Sequence, residues 1–433
     1  MGALPLLAQQ NRRPNIVVIL ADDLGIGDLG CYGGADVSTP HIDALARNGL
    51  RWENFYANST VCSPTRAALM TGCYPDRVGV PGVIRTQASE SWGYLSPRAI
   101  TLPQALRGAG YHTALVGKWH LGLAPPNTPI ERGFHHFHGF LGDMMDDYWT
   151  HRRQGNNYMR RDRQEIDPPG HATDLFTRWA CGYADSRQGQ AAPFFLYLAY
   201  NAPHSPIQPT EDSLARVRAR HPRMPEKRAK LVALVEHMDE GVGALMACLK
   251  KNGQLEQTLV VFTSDNGGEL LFGGTCGPWR GGKQDMYEGG IRVPCVMTWP
   301  GQIRPGTQTK ARAMTMDLFA TACAAAGVTP PEIDGQSLVA VARGEREGLA
   351  ERDMIFVRRE GTPRYQGRDY YALRRGDWKL VQNSPFEPYQ LFHLGEDPRE
   401  ERDRAKDQPG LYRELALALA RHIQRAGRTA WQE

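Results

Sequence analysis

Five short apolar runs punctuate the chain: Ile16–Leu20, Thr113–Val116, Phe194–Tyr200, Leu259–Thr263 and Val293–Thr298. Each ends in a loop rich in Gly, Asp, Asn or Pro. A run without polar alternation predicts a strand covered on both faces, as in a parallel sheet under helices. Between the runs the spacing turns helical. Over Glu226–Lys250, residues Leu231, Leu234, Val235, Met238, Val242, Leu245, Met246 and Leu249 form one apolar face. Shorter helices are predicted near His41–Arg47, Leu102–Gly108, Asp174–Asp185 and Met316–Ala326. The alternation predicts an α/β fold of the doubly wound kind, a large, mostly parallel sheet sandwiched by helices. Ligands of such sheets gather beyond the carboxyl ends of the strands.

After about residue 355 the pattern changes. Tyr370–Val381 reads as a hairpin turning at Gly376-Asp377, and Gln390–Leu394 as a further strand. A helix is expected over roughly Leu411–Arg425. The predicted organisation is a tail over 1–13, a main domain over 14–355, and a subdomain over 356–433 with a small antiparallel sheet and one helix.

Composition narrows the classes. A chain of 433 residues can bury a large core. The net charge of +4 is small, and Lys and Arg form no stripe, so no nucleic acid partner is expected. The apolar runs are too short to span a bilayer. Gly2–Gln10 reads as the end of a secretory hydrophobic region with its cleavage site, which points to a periplasmic or secreted protein. The eight cysteines show no CxxC pair and no zinc spacing. The sequon Asn58-Ser59-Thr60 lies so close to Cys62 that a structural role without glycan is expected.

The densest chemical signal is Cys62-Ser63-Pro64-Thr65-Arg66, continued by Ala67-Ala68-Leu69-Met70-Thr71-Gly72. Ser63 suits an N-cap, Pro64 a first helical position, and the Ala-Ala-Leu-Met run propagates a helix. Free N–H groups at a helix start favour an anion beside the sulfur. Alone, such a cysteine reads at least as readily as a small buried hydrophobe. Asp22-Asp23 follow the first strand, and Asp265-Asn266-Gly267-Gly268 follow the strand ending at Ser264. Oxygen ligands at one sheet edge suit a hard cation. Gly117-Lys118-Trp119-His120 predicts a tight, semi-buried loop at a strand end. Ala202-Pro203-His204 and Gly281-Gly282-Lys283 add an imidazole and an ammonium.

The stretch Cys62–Gly72 resembles the C-x-P-S/T-R signature of type I, formylglycine-dependent sulfatases of the alkaline phosphatase superfamily, of the arylsulfatase and N-acetylgalactosamine-6-sulfatase kind. Gly110–His120 is similar to their second signature, and the loops of His204 and of Lys283 through Arg292 are similar to further ones. The likeness runs from about Pro14 to the C-terminal helix. It implies an alkaline-phosphatase-like fold and hydrolysis of a sulfate monoester, foremost on a sulfated carbohydrate, with aryl sulfates as the other substrate class. It implies a formylglycine-generating maturation enzyme acting on Cys62. The hydrated aldehyde offers one hydroxyl to attack sulfur and a second whose deprotonation expels sulfate. Asp22, Asp23, Cys62, Asp265 and Asn266 would hold Ca2+, with Mg2+ as the alternative. Arg66, Lys118 and Lys283 would neutralise the sulfuryl oxygens. His204 or Lys283 would protonate the leaving oxygen, and His120 would act as base. With residue 62 consumed, seven cysteines remain and at least one is unpaired. On this reading Arg66→Ala and Lys118→Ala weaken the site without unfolding the chain.

Two other functions share the motif. Phosphodiesterases or phosphonate monoester hydrolases use the same modified cysteine, and a sulfated-glycan binder could carry it unmatured. A cysteine phosphatase does not fit, because the spacing is C-x3-R with a proline inside. The histidines of Phe134–His138 match no zinc spacing. Asp143, Asp146, Asp147, Trp149, His151, Arg152 and Arg153 suit either a sugar-lined cleft or a solvated loop.

Overall fold

The computed structural model describes residues 13–87, 90–91, 93–360 and 368–429. The secretory reading of Gly2–Gln10 lies outside them. The strands of the main domain are β1 (Asn15–Ala21), β2 (Leu50–Tyr56), β3 (His112–Lys118), β4 (His136–Phe140), the ribbon β5 (Arg152–Arg153) and β6 (Asn156–Asn157), β7 (Met159–Arg161), β8 (Gln164–Glu165), β9 (Phe194–Ala199), β10 (Thr258–Ser264), β11 (Cys295–Thr298) and β12 (Thr307–Met314). Ten of them form one mixed sheet in the order β12-β2-β11-β10-β1-β9-β3-β4-β7-β8. Its middle, from β10 to β4, is parallel. The helices are α1 (Pro40–Arg47), α2 (Cys62–Thr71), α3 (Leu102–Gly108), α4 (Ala172–Ser186), α5 (Glu211–Arg220), α6 (Glu226–Lys251), α7 (Glu288–Ile291), α8 (Asp317–Ala326) and α9 (Val339–Ala342).

Strand β1 shows why its run has no polar alternation. Ile16, Val18 and Leu20 enter one core with Leu69, Leu106 and Phe319 of α2, α3 and α8. Val17, Ile19 and Ala21 enter the other with Ile42, Phe176 and Leu234 of α1, α4 and α6. Burying each Val, Leu or Ile contributes roughly 1.5–3 kcal/mol, so both faces favour aliphatic residues.

The run Val293–Thr298 departs from the parallel expectation. β11 starts only at Cys295 and pairs antiparallel with both β10 and β2. The segment between β10 and β11 contains no long crossover helix, only the one-turn α7, so the chain re-enters the sheet from the edge it left. Pro294, with no N–H, cannot donate to a ladder. Strands β2 and β12 escape a search for continuous runs because polar positions such as Arg51, Glu53, Gln308 and Lys310 interrupt them.

Register places the site. Ala21 pairs with Ser264, Leu20 with Ala199, and Ala199 with Gly117. The chain therefore leaves β1, β10, β9 and β3 along one edge, carrying Asp22, Asp265, the loop to His204, and Lys118.

A second sheet follows, antiparallel in the order β13 (Met354–Glu360), β14 (Arg368–Arg375), β15 (Trp378–Gln382) and β16 (Gln390–His393). The hairpin turns at Gly376-Asp377, between the paired Arg375 and Trp378. Helix α10 (Pro409–Ala426) brings Leu415 and Leu419 into a core shared with Tyr56 and Met314 of the main sheet. The sequon is enclosed: Asn58 Oδ1 accepts from Thr315 Oγ1 at 2.7 Å and Met316 N at 2.9 Å, leaving no space for a glycan. All eight cysteines are unbridged.

Candidate active site

Helix α2 begins at Cys62 itself. Its N-cap is the extended Val61, and no side chain caps it. Ser63 is thus not the N-cap expected from the sequence. Its hydroxyl accepts from Ile84 N at 3.0 Å, because the first turn is buried against the Ile84 loop. Pro64 still sits in the first turn, where a missing N–H leaves no helical bond unmade. Cys62 Sγ lies 3.3 Å from Asp22 Oδ1 and 3.9 Å from Asp23 Oδ1. Burial and the Asp22 charge push the thiol well above its ordinary range. An unmodified Cys62 is therefore held as a poor thiolate nucleophile.

Asp22, Asp23, Cys62 and His204, all buried, offer ligand atoms within 4.8 Å of one another. Asn266 Nδ2 donates to Asp23 Oδ1 at 2.8 Å, while Asn266 Oδ1 is buried without a partner. An orphaned amide oxygen beside two carboxylates fits a hard cation. Asp265 stands beside them: its Oδ2 accepts from Arg66 Nε at 2.9 Å and its Oδ1 from Asp23 N at 3.2 Å. Burial and the neighbouring Asp22 push Asp265 up to about 7. Such crowding of carboxylates is what a bound cation relieves.

Each lysine meets one of these carboxylates. Lys118 Nζ donates to Asp22 Oδ2 at 2.5 Å, and Lys283 Nζ to Asp23 Oδ2 at 2.6 Å. Burial opposes the aspartate charges, but Lys118 beside Asp22 and Lys283 beside Asp23 outweigh it and hold both below the usual range. Lys118 is fully buried at the end of β3, deeper than the semi-buried loop expected. Gly117 makes this position reachable. Its φ is 106°, and a Cβ there would stand 1.9 Å from Ala199 O.

The two histidines differ in tautomer. His120 Nε2 donates to Ile84 O at 2.8 Å, which leaves Nδ1 as a buried lone pair without a partner. Burial, then Lys118 and Arg66, hold this imidazole well below its usual range and so neutral. His204 Nδ1 donates to Ser205 O at 2.6 Å, and its Nε2 lies 3.2 Å from Lys283 Nζ. Burial and Lys283 lower its basicity too. The shared proton therefore rests on Lys283, which Asp23 holds above its ordinary range although burial works against the charge.

Arg66 is the most engaged of the site cations. Its guanidinium is fully buried, pairs with Asp265 Oδ2, and donates Nη1 to Lys118 O at 3.1 Å. These bonds join three loop origins, and Arg66 Nη2 stands 3.5 Å from Asp22 Oδ1. Its removal would also leave Asp265 buried without its cation, so the expectation that Arg66→Ala spares the fold is withdrawn.

The remaining stretches disperse. His135 bonds Thr113, His136 pairs with Asp162, and His138 stacks on Trp179, so the three do not converge. Arg153 forks onto Asp143 at 2.8 and 3.2 Å and reaches Asp146. Trp149 remains 48% exposed. Sequence reasoning passed over Tyr148, whose buried hydroxyl reaches Asn201 O at 2.7 Å and His204 O at 2.9 Å. It also passed over Ile84, whose carbonyl fixes the His120 tautomer. Backbone partners leave no residue-type signal.

The chain matches the sulfatase family model over residues 14–328, and the N-sulphoglucosamine sulphohydrolase C-terminal model over 280–428. It is 31% identical to N-acetylgalactosamine-6-sulfatase of Mus musculus, covering 92% of this chain and 84% of that protein. It is 37% identical to arylsulfatase A of Homo sapiens, covering 85% and 74%. Among solved structures it resembles Ps i-CgsB in complex with k-i-k-neocarrahexaose, with a TM-score of 0.88, 31% identity, and coverage of 97% and 95%.

Proposed function

We propose, for a chain that belongs to the sulfatase family and hydrolyses sulfuric esters, that the substrate is a sulfated carbohydrate and that Cys62 is matured to formylglycine. The relatives named for N-acetylgalactosamine-6-sulfate chemistry and solved with a neocarrahexaose support the carbohydrate. The observation that carries the maturation is the place of Cys62, buried at the start of α2 with Sγ 3.3 Å from Asp22 Oδ1, in a chain that matches the sulfatase family. A site so rich in charge gains little from a thiol that stays protonated. The hydrated aldehyde supplies one hydroxyl to attack sulfur and a second to release the product.

Asp22, Asp23, Asp265, the Asn266 amide oxygen and residue 62 would hold a calcium ion, with magnesium as the alternative. The ion supplies positive charge toward a sulfuryl oxygen. The chain's own groups do the rest. Lys118 and Lys283 hold the anion and counter its charge. Lys283 carries the proton and gives it to the leaving oxygen, while His204 Nε2 accepts from the ammonium and orients it. His120 Nδ1 accepts the proton of the second hydroxyl, because its other nitrogen is committed to Ile84 O. Each such proton transfer contributes roughly 10²–10⁴-fold. Export to the periplasm or outside, after maturation by a formylglycine-generating enzyme, completes the reading.

Mass analysis of the peptide carrying residue 62, from protein made in its native host, is the test. An aldehyde or its hydrate is expected, and an intact thiol there would remove the nucleophile. Side-by-side rates on an aryl sulfate and an aryl phosphodiester separate the sulfatase from the phosphodiesterase reading, and faster sulfate turnover is expected.

A further inference from the structure

Strand β13 belongs to the small sheet, yet three loops around the site lean on it. Ser59 Oγ, three residues before Cys62, donates to Val357 O at 2.7 Å. Arg358 Nη1 and Nη2 reach Gln284 O at 3.3 Å and Gln284 Oε1 at 3.2 Å. Arg85, next to the Ile84 that fixes His120, donates Nη2 to Glu360 Oε2 at 3.1 Å. Arg358 Nε also meets Glu360 Oε1, at 3.4 Å.

Gln284 is the informative member. It follows Lys283 directly and has a φ of 81°, where a side chain is strained. Such a conformation persists only if its surroundings over-determine it. Here they do: Gln284 N donates to Thr60 O at 3.0 Å, and Arg358 grips its carbonyl and its amide oxygen. The Arg358 donors are spent on Gln284 and Glu360, so it acts through what it holds.

We infer that Arg358, with Glu360 behind it, is a positioning residue for Lys283, so that the first strand of the small sheet is a working part of the active site. The inference rests on the reading of Lys283 as a sulfate-holding group. It also moves the functional boundary: a chain ending at residue 355 would lack the brace. The planar fork of arginine suits this role, since lysine cannot span both oxygens of Gln284.

The test is a double-mutant cycle on an aryl sulfate. Lys283→Ala alone should lose most turnover. Arg358→Met should lower kcat/KM about 10–100-fold, the range for groups that orient active-site ligands. Arg358→Lys, which keeps the charge against Glu360, should share that loss and serves if the methionine variant does not fold. In the Lys283→Ala background either change should cost less than about threefold, because its target is gone. Equal losses in both backgrounds, or full turnover by folded Arg358→Met, would overturn the brace alone. Full turnover by Lys283→Ala would overturn the site reading and the brace with it.

Discussion

Two of the buried charge clusters among the described residues are built differently. One is the candidate active site, where Asp22, Asp23 and Asp265 face Lys118, Lys283 and Arg66 at the strand ends. The other joins the two sheets. There Glu288 of α7 meets Lys379 of β15 at 3.0 Å and accepts from Tyr56 Oη at 2.7 Å. Lys379 also meets Glu400 at 2.8 Å, and Glu400 accepts from Glu288 N at 2.6 Å. Arg374 reaches the same Tyr56 and Glu288. In this second cluster the acids and bases interlock. In the first, Asn266 Oδ1 and His120 Nδ1 are buried with no partner. Beside two carboxylates, an unpartnered amide oxygen and an unpartnered imidazole nitrogen fit a bound ligand. Glu400 Oε1 in the second cluster also makes no hydrogen bond, but it faces Lys379 and carries no such meaning.

Substitutions should separate the two. Cys62→Ser, expressed with the maturation enzyme, should lower sulfate-ester turnover by roughly 10⁴-fold or more. Its thermal midpoint should stay near that of the parent. A large drop in midpoint would make residue 62 structural. Lys379→Met should do the reverse. It leaves Glu400 buried without its cation and Glu288 with only Arg292 and Arg374, and should cost about 3–5 kcal/mol in urea unfolding. Turnover per folded molecule should change less than about twofold, and a larger change would tie the second cluster to the chemistry. Arg66→Ala blurs the contrast. It should lose both activity and a similar about 3–5 kcal/mol, because Arg66 lies in the active site but is fully engaged.

Acid should act through the second cluster with a defined sign. Burial opposes the Glu288 charge, but Lys379, Arg374 and Arg292 hold it down to about 2, from 4.5. A depressed carboxylate adds stability above its unfolded value and loses it as pH falls through the folded one. Up to about 3 kcal/mol should therefore disappear between pH 4.5 and 2. Glu400, pushed upward by burial, works in the opposite direction. Urea unfolding across that range should show a shallower acid loss in Glu288→Gln, and an unchanged slope would contradict the assignment. The smallest effect belongs to a surface pair. Arg216→Ala, which breaks contacts with Asp212 and Glu240, should cost under about 1 kcal/mol and leave turnover unchanged.

Much of this could be read before any coordinates. The runs at Ile16, Thr113, Phe194 and Leu259 became the parallel centre of the sheet, and the helical face of Glu226–Lys250 became α6. The polar strands β2 and β12 and the direction of β11 stayed hidden, because their pairing depends on neighbours hundreds of residues away. In the site, Cys62, Lys118, His120, His204 and Lys283 stood out by motif. The bond from Ile84 O, the hydroxyl of Tyr148 and the grip of Arg358 did not, since a backbone carbonyl or a distant arginine has no local pattern.

The chain by itself determined the chemistry on offer, since residue types and short spacings are local and survive in one dimension. It determined the strand edges too, because burial on two faces demands continuous apolar runs. Only the tertiary structure decided partners. It turned Arg66 toward Asp265, left Asn266 Oδ1 and His120 Nδ1 open, and brought β13 against the loops of Cys62 and Lys283. Those choices depend on distance, burial and mutual charge, which arise only when separate segments are packed together.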